Sequence, residues 1–139
     1  MAKHPLSVDV GVGRIAWFDI TTTKLSVSKE FYSKLFDWTF RSVQGTDLAA
    51  EIVSSGTAIG TLRVADGSIS HFNGVVYVQV SDLPTACKKA RELGGTIPPA
   101  FPFNLPDGTG AIALLSDPAG HPIGMYSNAL LPSASLHGR

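Results

Sequence analysis

An aspartate two residues from a tryptophan, on one strand, is the sharpest chemical signal in this chain. Ile15 to Thr21 alternates, so Trp17 and Asp19 share a face with Ile15 and Thr21. Ala16, Phe18 and Ile20 take the other face, which is wholly apolar. A carboxylate held beside an indole is desolvated, which raises its pKa toward the range of a general base. Asp19 is therefore a candidate catalytic base or cation partner, and its plainer role is to accept hydrogen bonds from backbone. A second strand repeats the arrangement, with Val75, Tyr77 and Gln79 on the mixed face and Val76, Val78 and Val80 on the apolar one. In the last strand Gly124 and Tyr126 share a face. Tyr77, Tyr126, Phe101 and Phe103 are candidates to stack on a planar ligand, against core packing as the ordinary role of such rings.

Other chemistry is sparse. His71 shares strand parity with Asn73, Val75 and Tyr77, or is a solvated residue at a strand entry. His121 follows the turn Asp117-Pro118-Ala119-Gly120 and reads as a turn residue. Cys87 lies on a helix stripe and reads as a buried inert thiol. No phosphate loop, paired-cysteine motif or nucleophile elbow occurs, and no spacing supports a Ser-His-Asp triad.

The elements that position these residues are legible. After the first strand, Ser26 or Ser28 can cap a helix whose apolar stripe is Val27, Phe31 and Leu35, widened by Tyr32 and Phe36. Asp37 ends it, Trp38 to Val43 is a strand, and Leu48–Ser54 with Thr57–Val64 form a hairpin across Ser55-Gly56. The second helix has Asp82 as cap, Pro84 in its first turn, a stripe of Leu83, Ala86, Cys87, Ala90 and Leu93, and Gly94-Gly95 as its stop. Ile97 to Phe103 is extended, because three prolines forbid a helix. Phe101 to Gly110 is either a lid or a plain surface loop. Ala111–Leu115 and His121–Tyr126 make the last hairpin.

The same unit is thus built twice. At an offset of 58, Leu25 falls on Leu83, Leu35 on Leu93 and Ile20 on Val78. At an offset of 64, Ile59-Gly60 falls on Ile123-Gly124. Each copy reads β-α-β-β-β, with modules over residues 13–64 and 72–127 of a single domain, 1–139. The apolar strand faces should carry the helices, leaving the mixed faces to line a cleft.

Composition sets the outer bounds. A chain of 139 residues, 44% apolar, supports one compact domain. Formal net charge is zero with the signs interspersed, which argues against nucleic-acid or membrane-surface partners. No apolar run reaches a membrane span, no secretory signal is visible, and one cysteine cannot form an internal disulfide; a cytoplasmic protein is expected.

The first strand, the pair Phe31-Tyr32 on the helix, Leu35-Phe36-Asp37-Trp38 and the late turn Asp117 to Gly120 resemble the vicinal oxygen chelate superfamily. That group holds glyoxalase I, extradiol dioxygenases and bleomycin-resistance proteins. The resemblance covers residues 13–127 and implies an α+β fold of two βαβββ modules, a curled mixed sheet around a cleft, with many members dimeric. It also implies four metal ligands at matched positions. The position fourteen residues before Phe31 is Trp17, and its repeat is Val75; the late-strand positions are Gly60 and Gly124. None of the four can hold a divalent cation, which needs oxygen or nitrogen donors. No metal and no other cofactor is therefore expected. The two glycines should enlarge the cavity floor, with Trp17 as an aromatic filling.

Three functions are consistent with these residues. The first is a homodimeric module binding a small, partly apolar or aromatic molecule without the family metal, lined by Trp17, Gly60, Val75, Tyr77, Gln79, Gly124, Tyr126, Phe101 and Phe103. The second is an enzyme related to lactoylglutathione lyase, an isomerase or lyase by type, with Asp19 as base or an atypical metal on His71 and Asp19. The third is an interaction protein with no ligand.

Overall fold

The computed structural model describes residues 8–65, 74–106 and 108–132. His71 and Asn73 lie outside them, so the expectation for that histidine has no structural counterpart here. The described residues divide into two compact units, one within 17–76 and the other within 1–16 and 77–139. Both follow the βαβββ plan, and the class is α+β.

The first module runs β1 (Ile15–Thr22), α1 (Leu25–Phe36), β2 (Thr39–Ser42), β3 (Ala49–Ser54) and β4 (Thr57–Val64). Its strands lie in the order β2-β3-β4-β1. The β1–β4 pair is parallel and the others antiparallel. The β3–β4 hairpin closes on Ser55 (φ 49°) and Gly56 (φ 82°), two left-handed residues that match strand twist. Ala50, Ile52 and Leu62 are its buried core. Ile20 pairs with Leu62, and Leu62 with Ala50, so these side chains share the face of Phe18.

The helix α1 departs from expectation. Its N-terminal flank, Lys24, makes no side-chain cap; Thr22 Oγ1 instead accepts the Lys24 N–H at 3.0 Å and the Ser28 hydroxyl at 2.7 Å. Neither Ser26 nor Ser28 serves as the cap. The helix stops at Asp37, left-handed at φ 60°, as its position after the stripe implies. No residue of α1 is fully buried. Its inward residues are Leu25, Ser28, Lys29 and Tyr32, whereas Val27, Phe31 and Leu35 are 57–60% exposed. The expected core stripe therefore faces outward. Tyr32 and Phe36 instead meet the Trp38 ring, at 5.6 and 4.9 Å between centroids, and Phe18 meets it at 5.9 Å. Tyr32 and Phe36, the residues that widened the expected stripe, thus pack around Trp38 in place of Val27, Phe31 and Leu35.

The second module runs β5 (Val76–Gln79), α2 (Leu83–Glu92), β6 (Phe103–Asn104), β7 (Ala111–Ser116) and β8 (Pro122–Ser127). Its strand order is β5-β8-β7-β6, with β5–β8 parallel. Asp82 accepts the Thr85 N–H at 3.1 Å, and Pro84 occupies the first turn, as expected. Leu83 and Cys87 pack on Ala111 and Ala113, with Val80, Ile97, Phe101 and Met125 around them. α2 thus packs on β7 and β8, through Ala111, Ala113 and Met125; of the valine face expected to carry it, Val80 joins this cluster and Val76 stays 40% exposed. Leu93, the last residue of the expected stripe, lies past the helix end and is 68% exposed. Gly94 (φ 97°) ends the helix. The Asp117–Gly120 turn is held by Asp117 Oδ1, which accepts the Ala119 and His121 N–H groups. These bonds, the one from His121 first, hold the Asp117 carboxyl below its usual value.

Candidate functional site

Register decides which side chains meet. In the first module Phe18 lies opposite Gly60, Asp19 opposite Thr61 and Thr21 opposite Arg63. Parallel partners share a face, so Trp17 and Asp19 look the same way as Thr61 and Arg63. Gly60 belongs to the other face, with Phe18. The grouping of Gly60 with Trp17 is therefore corrected. In the second module Gly124 lies opposite Tyr77, on the mixed face, and Met125 opposite Val78. Since Leu62 lies opposite Ile20, and Val78 is the repeat of Ile20, the repeat of Leu62 is Met125, an offset of 63 rather than 64. One residue in a strand inverts every face. The structural counterpart of Gly124 is Thr61.

Neither glycine enlarges a cavity. A Cβ on Gly60 would stand 2.6 Å from the Phe18 carbonyl oxygen and 3.0 Å from its ring. A Cβ on Gly124 would run into the Tyr77 ring, 2.6 Å from Cε2. In both modules an aromatic ring lies over the glycine of the neighbouring strand and fills the space its side chain would take. The glycines are there for close approach, and the expected widening of the floor is corrected.

The mixed face of the first module is more polar than β1 alone suggests. Arg41 pairs with Glu51, Glu51 lies opposite Thr61, and Thr61 opposite Asp19, so one row crosses four strands. Arg41 Nε donates to Glu51 Oε1 at 2.9 Å. Trp17 Nε1 donates to Thr61 Oγ1 at 2.8 Å. Arg63 Nε donates to Asp19 Oδ2 at 3.4 Å, a long bond for a charged pair. The Asp19 side chain is 11% exposed and that of Arg63 28%. Burial raises the Asp19 carboxyl above its ordinary value; the charge and hydrogen bond of Arg63 oppose this without cancelling it. The carboxyl is desolvated beside a cation that grips it loosely.

The mixed face of the second module is committed differently. Tyr77, Gln79 and Tyr126 are all buried, at 8% exposure or less. The Gln79 side chain accepts the Val10 N–H at 2.8 Å and donates to Asp9 Oδ1 at 2.9 Å. The Tyr126 hydroxyl donates to the Thr109 carbonyl at 2.9 Å and accepts the Val8 N–H at 3.1 Å. Val75 is buried, and its carbonyl accepts the Asp19 N–H at 2.9 Å. Phe101 packs into the α2 core and stacks on Phe103, 5.1 Å between centroids. Phe103 stays 39% exposed. Cys87 is buried, and burial pushes its thiol up, against a smaller opposing effect of Arg91.

Several residues of these two faces were not singled out from the sequence: Arg41, Glu51, Thr61 and Arg63 in the first module, and Val8, Asp9 and Val10 over the second. Thr61 and Arg63 do alternate within β4. Which face of β1 they join is a register question, and no local pattern answers it.

The donor set does not fit the metal that the resemblance implies. Trp17 presents an N–H already given to Thr61. Asp19 and Glu51 are each paired with an arginine. Among the described residues no three His, Cys, Asp or Glu side chains gather at one point.

The paired βαβββ plan is that of the glyoxalase-type fold, the fold of the vicinal oxygen chelate superfamily, and solved structures agree. A methylmalonyl-CoA epimerase from Mycobacterium tuberculosis, a member of that superfamily, superposes with a TM-score of 0.61 at 15% identity, over 96% of this chain and 99% of that one. A Streptomyces coelicolor methylmalonyl-CoA epimerase variant, in complex with 2-nitronate-propionyl-CoA, does so with 0.61 at 16% identity, over 86% and 99%. A hypothetical protein from Bacillus halodurans gives 0.63 at 12% identity, over 87% and 98%. At such identities the likeness is one of fold. No protein-family model matches the chain. No curated protein matches it either.

Proposed function

We propose that the protein binds a small, partly apolar acyl compound on the mixed face of its first module, without the family metal. The observation that carries this reading is the joint placement of Trp17, Asp19, Thr61 and Arg63 on one strand face, half-buried and linked in two pairs. An indole offers a flat apolar surface. A guanidinium held by one long bond keeps donors for a carbonyl or anionic oxygen. The acyl class is supported by the epimerase likeness, since one of those structures holds a propionyl-CoA analogue. Titration calorimetry with propionyl-CoA tests it. Binding that weakens about tenfold in Arg63→Leu, the loss of one charge-assisted hydrogen bond, supports the reading. No binding, or equal binding in Arg63→Leu, overturns it. Stoichiometric nickel, zinc, manganese or iron in untagged protein, with binding lost on chelation, overturns the metal-free part.

A second reading rests on the desolvated carboxyl of Asp19. Asp19 would take a proton from the carbon next to the ligand's carbonyl and become a neutral acid. Arg63 would hold the oxygen that gains the electron pair, and the return of the proton would complete the cycle. The assay is deuterium uptake at the acyl α-carbon of propionyl-CoA in heavy water, followed by NMR. Uptake that persists in Asp19→Asn removes Asp19 from the role.

We assign the exposed stripe of α1 to a second copy of the chain. Val27, Phe31, Leu35 and Phe36 each stay more than half exposed on one helix, the kind of patch that marks an interface. Glu30 and Lys34 flank it and pair at 2.7 Å. Antiparallel pairing about a two-fold axis would set each against its opposite in the other copy. Sedimentation of Phe31→Asp tests this; an unchanged mass overturns it.

A further inference from the structure

The buried polar side chains of the second module read main chain. Over Val8 to Val10, Tyr126 takes the Val8 N–H, Asn128 Nδ2 donates to the Val8 carbonyl at 3.2 Å, and Gln79 takes the Val10 N–H while donating to Asp9. Alternate residues, Val8 and Val10, are bound through their main-chain N–H and C=O groups, which is how proteins bind extended peptides. Gln79 and Tyr126 are 4% and 5% exposed beneath this segment, so the segment is what shields them from water.

The present occupant is held by polar contacts more than by apolar burial: Val8 is half-buried, and Val10 and the following Val12 remain 40% and 66% exposed. The chain is pinned again beyond it, where the Gly13 N–H donates to the Gln79 carbonyl and the Arg14 carbonyl accepts the Gln79 N–H, each at 2.8 Å. The segment leaves the face through Gly11 (φ 103°) and Gly13 (φ 89°), backbone conformations only glycine adopts freely. Segments held by a few hydrogen bonds and little apolar burial open at low cost.

We infer that Gln79, Tyr126 and Asn128 form a binding site for an extended peptide segment, and that Val8 to Val10 are its resident, displaceable occupant. The site is separate from the face assigned to the acyl ligand, and neither depends on the other. Gln79 gives the site a side-chain preference as well, because its amide donates to the acid one residue before the bound Val10 N–H.

The test uses the full chain and a fluorescein-labelled peptide copying Val8–Val12. The substitutions Gly11→Val and Gly13→Val together strain the exit without touching the reading side chains. The inference expects the Val10 amide to exchange about tenfold faster in this double variant, and the peptide to bind about tenfold tighter than to wild type. Adding Gln79→Glu should cost the peptide about tenfold, because two carboxylates then face each other, and the Asp9→Asn form of the peptide should recover it. A Val10 amide that stays protected in the double variant overturns displaceability. No peptide uptake once that amide exchanges freely overturns the site. So does a peptide indifferent to the Gln79→Glu and Asp9→Asn pair.

Discussion

Gly124→Ala tests the ring-over-glycine packing directly. The added Cβ would lie 2.6 Å from Tyr77 Cε2 and 2.9 Å from Cγ, far inside van der Waals contact. The ring cannot swing out cheaply: Tyr77 is 8% exposed, and the β5–β8 register pins it beside position 124. Forcing a methyl into a packed site costs about 1–3 kcal/mol. For 139 residues, with an unfolding entropy near 2.1 cal/mol/K per residue, that is a Tm lower by about 3–10 °C. Calorimetry on Gly124→Ala, Tyr77→Ala and the double variant closes the cycle. Tyr77→Ala alone should cost about 3–5 kcal/mol, as large aromatic truncations do. With the ring gone, the three atoms nearest the methyl are gone with it, so the double variant should cost about as much as Tyr77→Ala alone. The coupling is then about 1–3 kcal/mol. Additive costs would refute the reasoning, because they would mean the methyl strains something other than Tyr77.

Further tests follow from the same geometry. Burial raises the Asp19 carboxyl, so the folded state holds its proton more tightly than the unfolded state and loses stability as pH rises above 3.8 through the folded value. Asp19→Asn should therefore stabilise the protein at neutral pH, with the gain vanishing below pH 3.8; denaturant melts across pH read this, and a gain that grows on acidification contradicts it. Leu83→Ala, at 1% exposure, should cost about 2–5 kcal/mol, while Phe31→Ser, at 58%, should stay within about 0.5 kcal/mol in denaturant melts of the dissociated chain. Asp82→Ala removes the cap to Thr85 and should cost about 1 kcal/mol by the same measurement.

Much of the fold was legible because local chemistry dictates it. Asp82 with Pro84 and the stop at Gly94 bound α2 within a residue or two of expectation. Three prolines kept 97–102 out of a helix, and Asp117–Gly120 turned the last hairpin where a Pro-x-Gly turn should. The centre of the α2 stripe, Leu83 and Cys87, went to its core because the alanines of β7 leave room for it, while Leu93 stayed outside. The stripe of α1 was equally regular and went outward, because Trp38, beyond the helix, gathered Tyr32, Phe36 and Phe18. Helical periodicity reports that a stripe exists; it does not report which partner wins it.

The candidate site divides along the same line. The sequence determined that Trp17 and Asp19 share a strand face, because side chains alternate along any strand. It determined the doubled βαβββ plan, and that Trp17, Val75, Gly60 and Gly124 lack a metal donor. Tertiary structure alone decided that Thr61, not Gly60, stands beside Trp17 and Asp19, and that Arg63 reaches the carboxylate. It also placed rings over both glycines and laid Val8 to Val10 on Gln79 and Tyr126. The reason is register. A strand's own pattern is unchanged when it slides by one residue against its neighbour, yet every side chain it offers to the site changes face.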